Sequence, residues 1–166
     1  NLSKIFGELF MLIEKDKRGI ELQLLYSDEN FSVPANVYII GMMNTADRSL
    51  AMLDYALRRR FSFFTMKPGF NAPGFQAYQD SLKSDDFNKL IACVKQLNSQ
   101  IVEDISLGEG FCIGHSYFCG LTPETANTQT LSSIVEYELI PLLKEYWFDE
   151  PAKIVDWSDR LRSAVK

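Results

Sequence analysis

Three polar side chains follow directly on an apolar run of the chain. Residues 37–43 (VYIIGMM) are continuously apolar and partly β-branched, which is typical of a buried strand in a parallel sheet. Asn44, Asp47 and Arg48 come next, and residues just past the carboxyl end of such a strand line the crevice where α/β folds bind ligands. The amide and carboxylate could orient a water or a partner, and the guanidinium suits a phosphate. The alternative is that Asn44 and Asp47 cap a following helix.

A run of three arginines, Arg58 to Arg60, stands further along the chain. Cations at the end of a helix complement its dipole, so helix-end stabilisation is one interpretation. The other is an arginine finger, a guanidinium that stabilises charge on a transferring phosphoryl group, often in a neighbouring subunit. Three arginines in a row ahead of a Phe-rich segment exceed what dipole compensation requires.

The chain lacks the lysine loop that cradles nucleotide phosphates. Residues 69–74 have glycines at the spacing of GxxxxGK[ST], but Phe75 and Gln76 stand where the lysine and the hydroxyl belong. No apolar strand ends in an acidic pair that could bind Mg²⁺. The pair Asp149-Glu150 does follow apolar residues, but these belong to an amphipathic helical pattern rather than to a strand. We therefore expect that this segment alone does not hydrolyse a nucleotide.

The single histidine, His115, lies in a Gly- and aromatic-rich segment over residues 108–120. Cys112 and Cys119 flank it, but the spacing is not that of a zinc finger and a fourth ligand is missing, so we expect no metal. One histidine without a paired Ser or Cys also argues against a nucleophilic triad. The favoured interpretation is a loop packed by its own aromatic side chains, with His115 and Ser116 as polar contacts.

The bulk properties exclude several classes of protein. A net charge of −5 over 166 residues, with a pI of about 4.9, argues against broad binding of nucleic acid. No apolar run reaches the roughly 20 residues of a membrane span, and we expect no secretory signal, because the first residues do not show its pattern. Three cysteines fit a reducing cytoplasm. Because residues 2–14 are already helical in pattern and Asn1 is not Met, we expect a fragment of a longer protein.

The periodicity predicts two parts joined near residue 70. Residues 1–69 combine a helix over 2–14, a hairpin over 20–33, the strand over 37–43, a short helix over 50–57 and a strand over 61–65. Beyond a change of composition at residues 70–74, the pattern predicts helices over about 74–83, 85–105, 129–148 and 150–164. We expect an α/β part followed by a small helical part, residues 70–166.

Several of these motifs together resemble the McrB family, the AAA+ motor subunits of McrBC-type, methylation-dependent (5-methylcytosine-specific) restriction systems. The likeness rests on MNTADRS within residues 37–50 and on ALRRRF within residues 54–63, and it continues through residues 110–118, residues 141–146 and Trp157. The two motifs are specific in combination. Either alone would place the chain only in the wider AAA+ clade that includes MoxR and dynein-related ATPases.

The resemblance implies an α/β fold, a partial AAA+ (P-loop NTPase) core sheet over residues 1–69 followed by an all-α helical lid over residues 70–166. Residues 20–33 would form the hairpin before the sensor strand 37–43. It implies that Asn44 senses the γ-phosphate and that Asp47 and Arg48 lie at the active site or the subunit boundary. Arg58 and Arg59, in the finger region 58–60, would act in the adjoining subunit. Gly114, His115 and Ser116 would lie in the lid near the nucleotide base.

The resemblance also implies a nucleoside-triphosphatase that uses GTP or ATP with Mg²⁺ in the full-length protein, with no nucleotide expected to bind tightly to this fragment. The implied partners are identical subunits in a hexameric ring and a McrC-like nuclease subunit. DNA would be contacted through other domains, and no membrane is implied as a partner. Because the phosphate loop and the acidic pair are absent, we expect the isolated fragment to be inactive. The alternatives are a stand-alone, non-catalytic lid or adaptor module, or a MoxR/dynein-related ATPase unrelated to restriction.

Overall fold

The computed structural model describes residues 7, 9–25, 27–44 and 58–166. The chain divides into two compact units, Asn1–Thr65 and Met66–Lys166. The predicted helix over residues 50–57 and the candidate residues Asp47 and Arg48 lie outside the described residues.

The first unit contains a short helix and a small hairpin. Helix α1 spans Leu9–Leu12 and a 3₁₀ turn spans Lys15–Lys17. Strands β1 (Leu22–Gln23) and β2 (Asn30–Phe31) pair antiparallel. Asp28, in the turn between them, has φ 55°, a left-handed conformation that a short Asp side chain tolerates. Two short strands and a turn therefore form over residues 20–33, as the alternation predicts.

The predicted buried strand over residues 37–43 is wrong, and so is the predicted strand over residues 61–65. Neither segment forms a strand, and Tyr38, Ile40 and Phe64 are 88%, 90% and 88% exposed. A strand forms only where its N–H and C=O groups pair with a neighbour, and no other strand of the described residues pairs with either segment. An apolar, β-branched run shows that a segment suits the interior of a sheet, but the segment forms a strand only if neighbouring strands are there to pair with it.

The second unit is helical, as the periodicity predicts. Its helices are α2 (Pro73–Leu82), α3 (Asp85–Glu103), α4 (Thr128–Ile134), α5 (Ile140–Tyr146) and α6 (Pro151–Ala164). Two 3₁₀ turns, Glu109–Phe111 and His115–Phe118, lie in the long loop between α3 and α4. Ser84 caps α3, because its hydroxyl accepts from the N–H of Phe87 at 3.3 Å and satisfies one orphan donor of the first turn.

Helix α3 organises the core of the second unit. Its buried residues recur at helical spacing: Phe87, Leu90, Ile91, Val94, Leu97, Asn98 and Ile101. The apolar residues of this set belong to a cluster that includes Trp147 at the end of α5, Leu161 on α6 and Phe118 in the loop. Removal of this apolar surface from water is the main term that stabilises the unit.

The predicted helix over residues 129–148 is continuous but not uniform. A π-helical segment, Val135–Leu139, joins α4 to α5, and the N–H of Ile140 donates to the carbonyl of Val135, five residues earlier. Pro141 explains the change of winding, because it has no N–H and its ring would crowd the carbonyl four residues before it in an α-helix. The wider turn carries the chain past the proline.

Candidate functional site

The structure gives the three adjacent arginines of the first unit different environments. Arg60 is partly buried, forms an ion pair with Glu14, and lies with its guanidinium carbon 4.4 Å from the centroid of the Phe10 ring. Arg58 and Arg59 are exposed, and no carboxylate of the described residues pairs with either of them. Arg60 therefore stabilises the first unit, whereas the guanidinium groups of Arg58 and Arg59 face solvent.

Asn44 lies exposed at the end of the 37–43 segment. The start of that segment is anchored by Arg18, whose Nη1 donates to the carbonyl of Val37 at 3.0 Å and whose Nε donates to the carbonyl of Ile13 at 3.1 Å. These bonds tie the segment to the end of the first helical stretch. Whether Asn44 meets Asp47 and Arg48 stays a prediction, because those two residues are outside the described part of the chain.

In the second unit, His115 is a packed, half-buried residue at the start of a 3₁₀ turn. Its Nδ1 accepts a hydrogen bond from the backbone N–H of Gly69 at 3.0 Å. The imidazole contacts Phe75 and Phe70 edge-on, with ring centroids 5.6 Å and 6.2 Å apart. The neighbouring Ser116 is exposed. The segment Gly114–Ser116, which we call the base loop, thus has an imidazole held by packing and a hydrogen bond, beside the exposed side chain of Ser116.

A buried asparagine on α3 holds the residue just before the base loop. Asn98 donates through Nδ2 to the carbonyl of Ile113 at 2.9 Å, and its Oδ1 accepts from the N–H of Ile113 at 2.7 Å. A side-chain amide that satisfies both backbone groups of one residue fixes the position of that residue. The base loop is therefore held by α3 on one side and by Gly69 on the other.

Sequence reasoning alone does not identify Asn98 or Gly69 as residues that position the loop. For Asn98 a signal exists, since a polar residue interrupts the otherwise apolar stripe of α3 and a buried amide requires partners. Gly69 stands out in the sequence only as the first glycine of a pattern that resembles a phosphate loop but lacks the lysine. Its partner is 46 residues away, and that separation hides the contact.

The described residues do not fit a metal ion. No group of three His, Cys, Asp or Glu side chains among them could hold one. Cys112 is half-buried, which raises the pKa of its thiol, and the exposed Cys119 donates to the carbonyl of His115 at 3.4 Å. An imidazole and a hydroxyl, the side-chain groups of the base loop, can form directional hydrogen bonds with a polar organic ligand.

Within the part of the chain that the structure describes, no helix is both long enough and apolar enough to cross a membrane.

Two family models match successive parts of the chain. Residues 1–61 match the AAA domain of the dynein-related subfamily, and residues 89–155 match the McrB alpha-helical lid domain. Over 171 aligned positions, covering 97% of the chain, it is 51% identical to the type IV methyl-directed restriction enzyme EcoKMcrB subunit of Escherichia coli (strain K12). The chain belongs to the McrB family.

The chain spans less than two fifths of the length of the curated relatives that it matches. The aligned region is 37% of the E. coli protein. The type II restriction enzyme BsuMI component YdiS of Bacillus subtilis (strain 168) is 26% identical over 132 residues, which are 67% of this chain and 38% of that protein. The predicted family is confirmed, and an AAA segment followed by a McrB lid agrees with a partial AAA+ core followed by a helical lid.

Proposed function

We propose that this chain is the C-terminal part of the AAA+ module in a motor subunit that hydrolyses GTP or ATP for a McrBC-like, modification-dependent restriction system. The observation that carries the proposal is the order of the two family matches, AAA and then McrB lid, at 51% identity to a methyl-directed restriction subunit. In this proposal residues 1–69 belong to the α/β core and residues 70–166 form the lid.

The proposed roles divide one nucleotide site among several parts of the protein. Asn44 senses the γ-phosphate, with Asp47 and Arg48 beside it, and Arg58 and Arg59 act on the nucleotide of an adjoining subunit. The base loop of the lid contacts the base. The phosphate loop and the Mg²⁺ ligands come from another part of the full-length protein, since Phe75 and Gln76 stand where a phosphate loop has its lysine and hydroxyl. Catalysis of this kind depends on placing fixed positive charge where negative charge develops.

The environments of the arginines support this division. A finger must extend from its own subunit, so its guanidinium needs to be exposed and without an internal carboxylate. Arg58 and Arg59 meet that condition among the described residues, and Arg60, paired with Glu14 and stacked on Phe10, does not.

The proposed partners follow from the same assignment. Identical subunits form a ring, hexameric by the family resemblance, in which each arginine pair reaches the next nucleotide. A McrC-like nuclease subunit cuts DNA, and other domains contact that DNA, because a segment with a net charge of −5 lacks the basic surface for broad DNA binding. The proposed compartment is the cytoplasm.

We expect Arg58→Ala or Arg59→Ala in the full-length protein to lower nucleotide turnover by roughly 10³–10⁵-fold, the usual effect of removing an arginine finger. Nucleotide affinity should stay close to that of the wild type, since the finger serves a neighbouring site. Steady-state hydrolysis and equilibrium titration with GTP and with ATP measure the two quantities.

Arg60→Ala is the matched control for these variants. It removes the ion pair with Glu14 and the stack on Phe10, so it should lower the melting temperature, whereas Arg58→Ala and Arg59→Ala should not. Turnover at the wild-type rate in both the Arg58 and the Arg59 variants would refute the finger assignment.

A further inference from the structure

The hydrogen bond from Gly69 decides which nitrogen of His115 carries the proton. A neutral imidazole has one protonated and one unprotonated ring nitrogen, and only the unprotonated one accepts a hydrogen bond. Nδ1 accepts from the Gly69 N–H at 3.0 Å, so the proton of the neutral ring is on Nε2. The free side of His115 is therefore a hydrogen-bond donor.

That donor has no partner within the described residues. No hydrogen bond of theirs involves Nε2, and Nε2 is not among their buried polar atoms that lack a partner, so it reaches solvent. The edge-on contacts with Phe70 and Phe75 limit rotation of the ring. His115 thus presents a donor of fixed direction at the surface of the second unit.

Position 69 must be glycine for this arrangement. A Cβ at residue 69 would lie 2.9 Å from Cε1 of His115 and 3.2 Å from both ring nitrogens, closer than packed carbon atoms approach. The ring cannot retreat easily, because it is a half-buried group packed against two phenylalanines. Any larger residue at position 69 would displace the imidazole.

A second contact ties the same stretch of chain to the same loop. Lys67 Nζ lies 3.1 Å from Oε1 of Glu109, the first residue of the 3₁₀ turn that precedes the base loop. The pair is exposed and contributes little by itself. Residues 67 and 69, at the start of the second unit, therefore both contact the segment over residues 109–115.

We propose that Gly69 is a positioning residue that holds His115 as an Nε2–H donor, so that the base loop recognises a hydrogen-bond acceptor on the purine base of the bound nucleotide. A carbonyl oxygen or an unprotonated ring nitrogen fits this donor, and an exocyclic amine does not. The inference rests on the proposed function, which places the base loop at the nucleotide.

The tautomer is measurable directly, because His115 is the only histidine. In the 166-residue chain labelled with ¹⁵N-histidine, at alkaline pH where imidazoles are neutral, NMR should show the proton on Nε2 and none on Nδ1. Gly69→Ala should give a mixture of the two tautomers, an effect that a loss of packing elsewhere would not produce. A proton on Nδ1, or an equal mixture in the wild type, overturns the inference.

Two substitutions of His115 separate the two nitrogens. In His115→Asn the side-chain oxygen takes the place of Nδ1, so the bond from Gly69 is kept and the outward donor is lost. In His115→Gln the amide reaches the place of Nε2, so a donor is kept. In the full-length protein, affinity for the preferred nucleotide, GTP or ATP, should fall about tenfold for Asn and for Gly69→Ala. For Gln the fall should be smaller than for Asn, because an outward donor is kept although the bond from Gly69 is lost.

Wild-type affinity for both GTP and ATP in His115→Asn overturns the inference, even if the tautomer is as expected. That failure is distinct from failure of the proposed function, because the turnover of the Arg58 and Arg59 variants tests the latter independently. His115→Asn also keeps the test valid if Gly69→Ala fails to fold.

Discussion

At the scale of single residues, Asp104 joins three parts of the second unit through one carboxylate. Oδ2 accepts from Trp147 Nε1 and from Lys153 Nζ, both at 2.8 Å, and Oδ1 accepts from the N–H and the hydroxyl of Ser106 at 2.9 and 2.6 Å. The side chain is 6% exposed. The ammonium of Lys153, helped by the bonds from Ser106 and Trp147, holds the pKa of Asp104 well below its usual range.

We predict that Asp104→Asn lowers the free energy of unfolding of the chain by about 1–3 kcal/mol at pH 7, since a charge-assisted hydrogen bond to Lys153 is lost. The folded-state pKa is depressed, so the carboxylate contributes its full stability above the unfolded pKa of about 4 and loses it as the pH falls further. The difference between the wild type and the variant should therefore shrink below about pH 4. Urea unfolding at pH 7 and pH 3 measures it.

Asp159→Asn is the control, because Asp159 is an exposed helix residue whose only ion pair among the described residues is a 3.6 Å contact with Arg162. Its unfolding free energy should match that of the wild type at both pH values. An equal loss in the two variants, or a loss in Asp104→Asn that persists unchanged at pH 3, would contradict the role given to Asp104.

The arginine run shows what residue types reveal and what they hide. The motif ALRRRF and the family resemblance select Arg58 and Arg59 as candidate fingers. Nothing in the spacing shows that Arg60 differs from its neighbours, because its partners Phe10 and Glu14 precede it by more than forty positions. Long-range contacts of this kind require the fold.

At the scale of elements, helix α3 supplies both the core stripe and a support for the base loop. Asn98 lies in that stripe and satisfies both backbone groups of Ile113, at 2.9 and 2.7 Å. The loop over residues 112–118 therefore depends on a polar residue that faces the interior. A buried amide whose oxygen and nitrogen are both hydrogen-bonded in this way favours one conformation of the loop.

We predict that Asn98→Leu lowers the free energy of unfolding by about 2–4 kcal/mol, since it leaves the N–H and the carbonyl of Ile113 without partners in a buried site. Hydrogen exchange of the Ile113 amide should accelerate more than that of amides in the middle of α3. Chemical unfolding and NMR-detected exchange provide the two measurements.

Asn88→Leu on the same helix is the matched control. Asn88 is exposed, and its Oδ1 accepts only from the partly exposed Gln79 among the described residues, so its loss should change stability little. Protection of the Ile113 amide that survives in Asn98→Leu would show that the loop does not depend on α3.

Helices were predictable here because their signals are local. The stripe of α3, the cap at Ser84 and the proline at the start of α6 all lie within or beside the helix that they define. The prediction of strands over residues 37–43 and 61–65 was wrong, because strand pairing depends on chain segments far away in the sequence. Pro141 signals the π-helical turn, but periodicity alone predicts one unbroken helix.

At the scale of the whole molecule, the two units differ in how completely they bury apolar surface. The second unit has a continuous core around α3, with Leu90, Leu131 and Trp147 fully buried. In the first unit, Ile40 and Met42 are 90% and 97% exposed. Exposed apolar patches of this kind mark protein interfaces, ligand grooves or surfaces prone to aggregation.

The comparisons with known proteins also distinguish the two units, since the AAA match falls in the first and the McrB lid match in the second. The chain spans 37% of the E. coli subunit, and the McrB lid match falls entirely within the second unit. The motifs MNTADRS and ALRRRF identified the family from the sequence, because they are short and local. The relation of Asn44 to Asp47 and Arg48 stays a prediction, because it depends on residues outside the described part of the chain.

The central claim is that Arg58 and Arg59 act on a nucleotide held by a neighbouring subunit, and a mixing experiment tests it most directly. One full-length variant carries Arg58→Ala with Arg59→Ala, and a second has an inactivated nucleotide-binding loop but intact arginines. Each should be inactive alone, and mass measurement should show that they co-assemble. We predict that the mixture hydrolyses nucleotide, because intact arginines then face intact sites. A co-assembled mixture that remains inactive would contradict the claim.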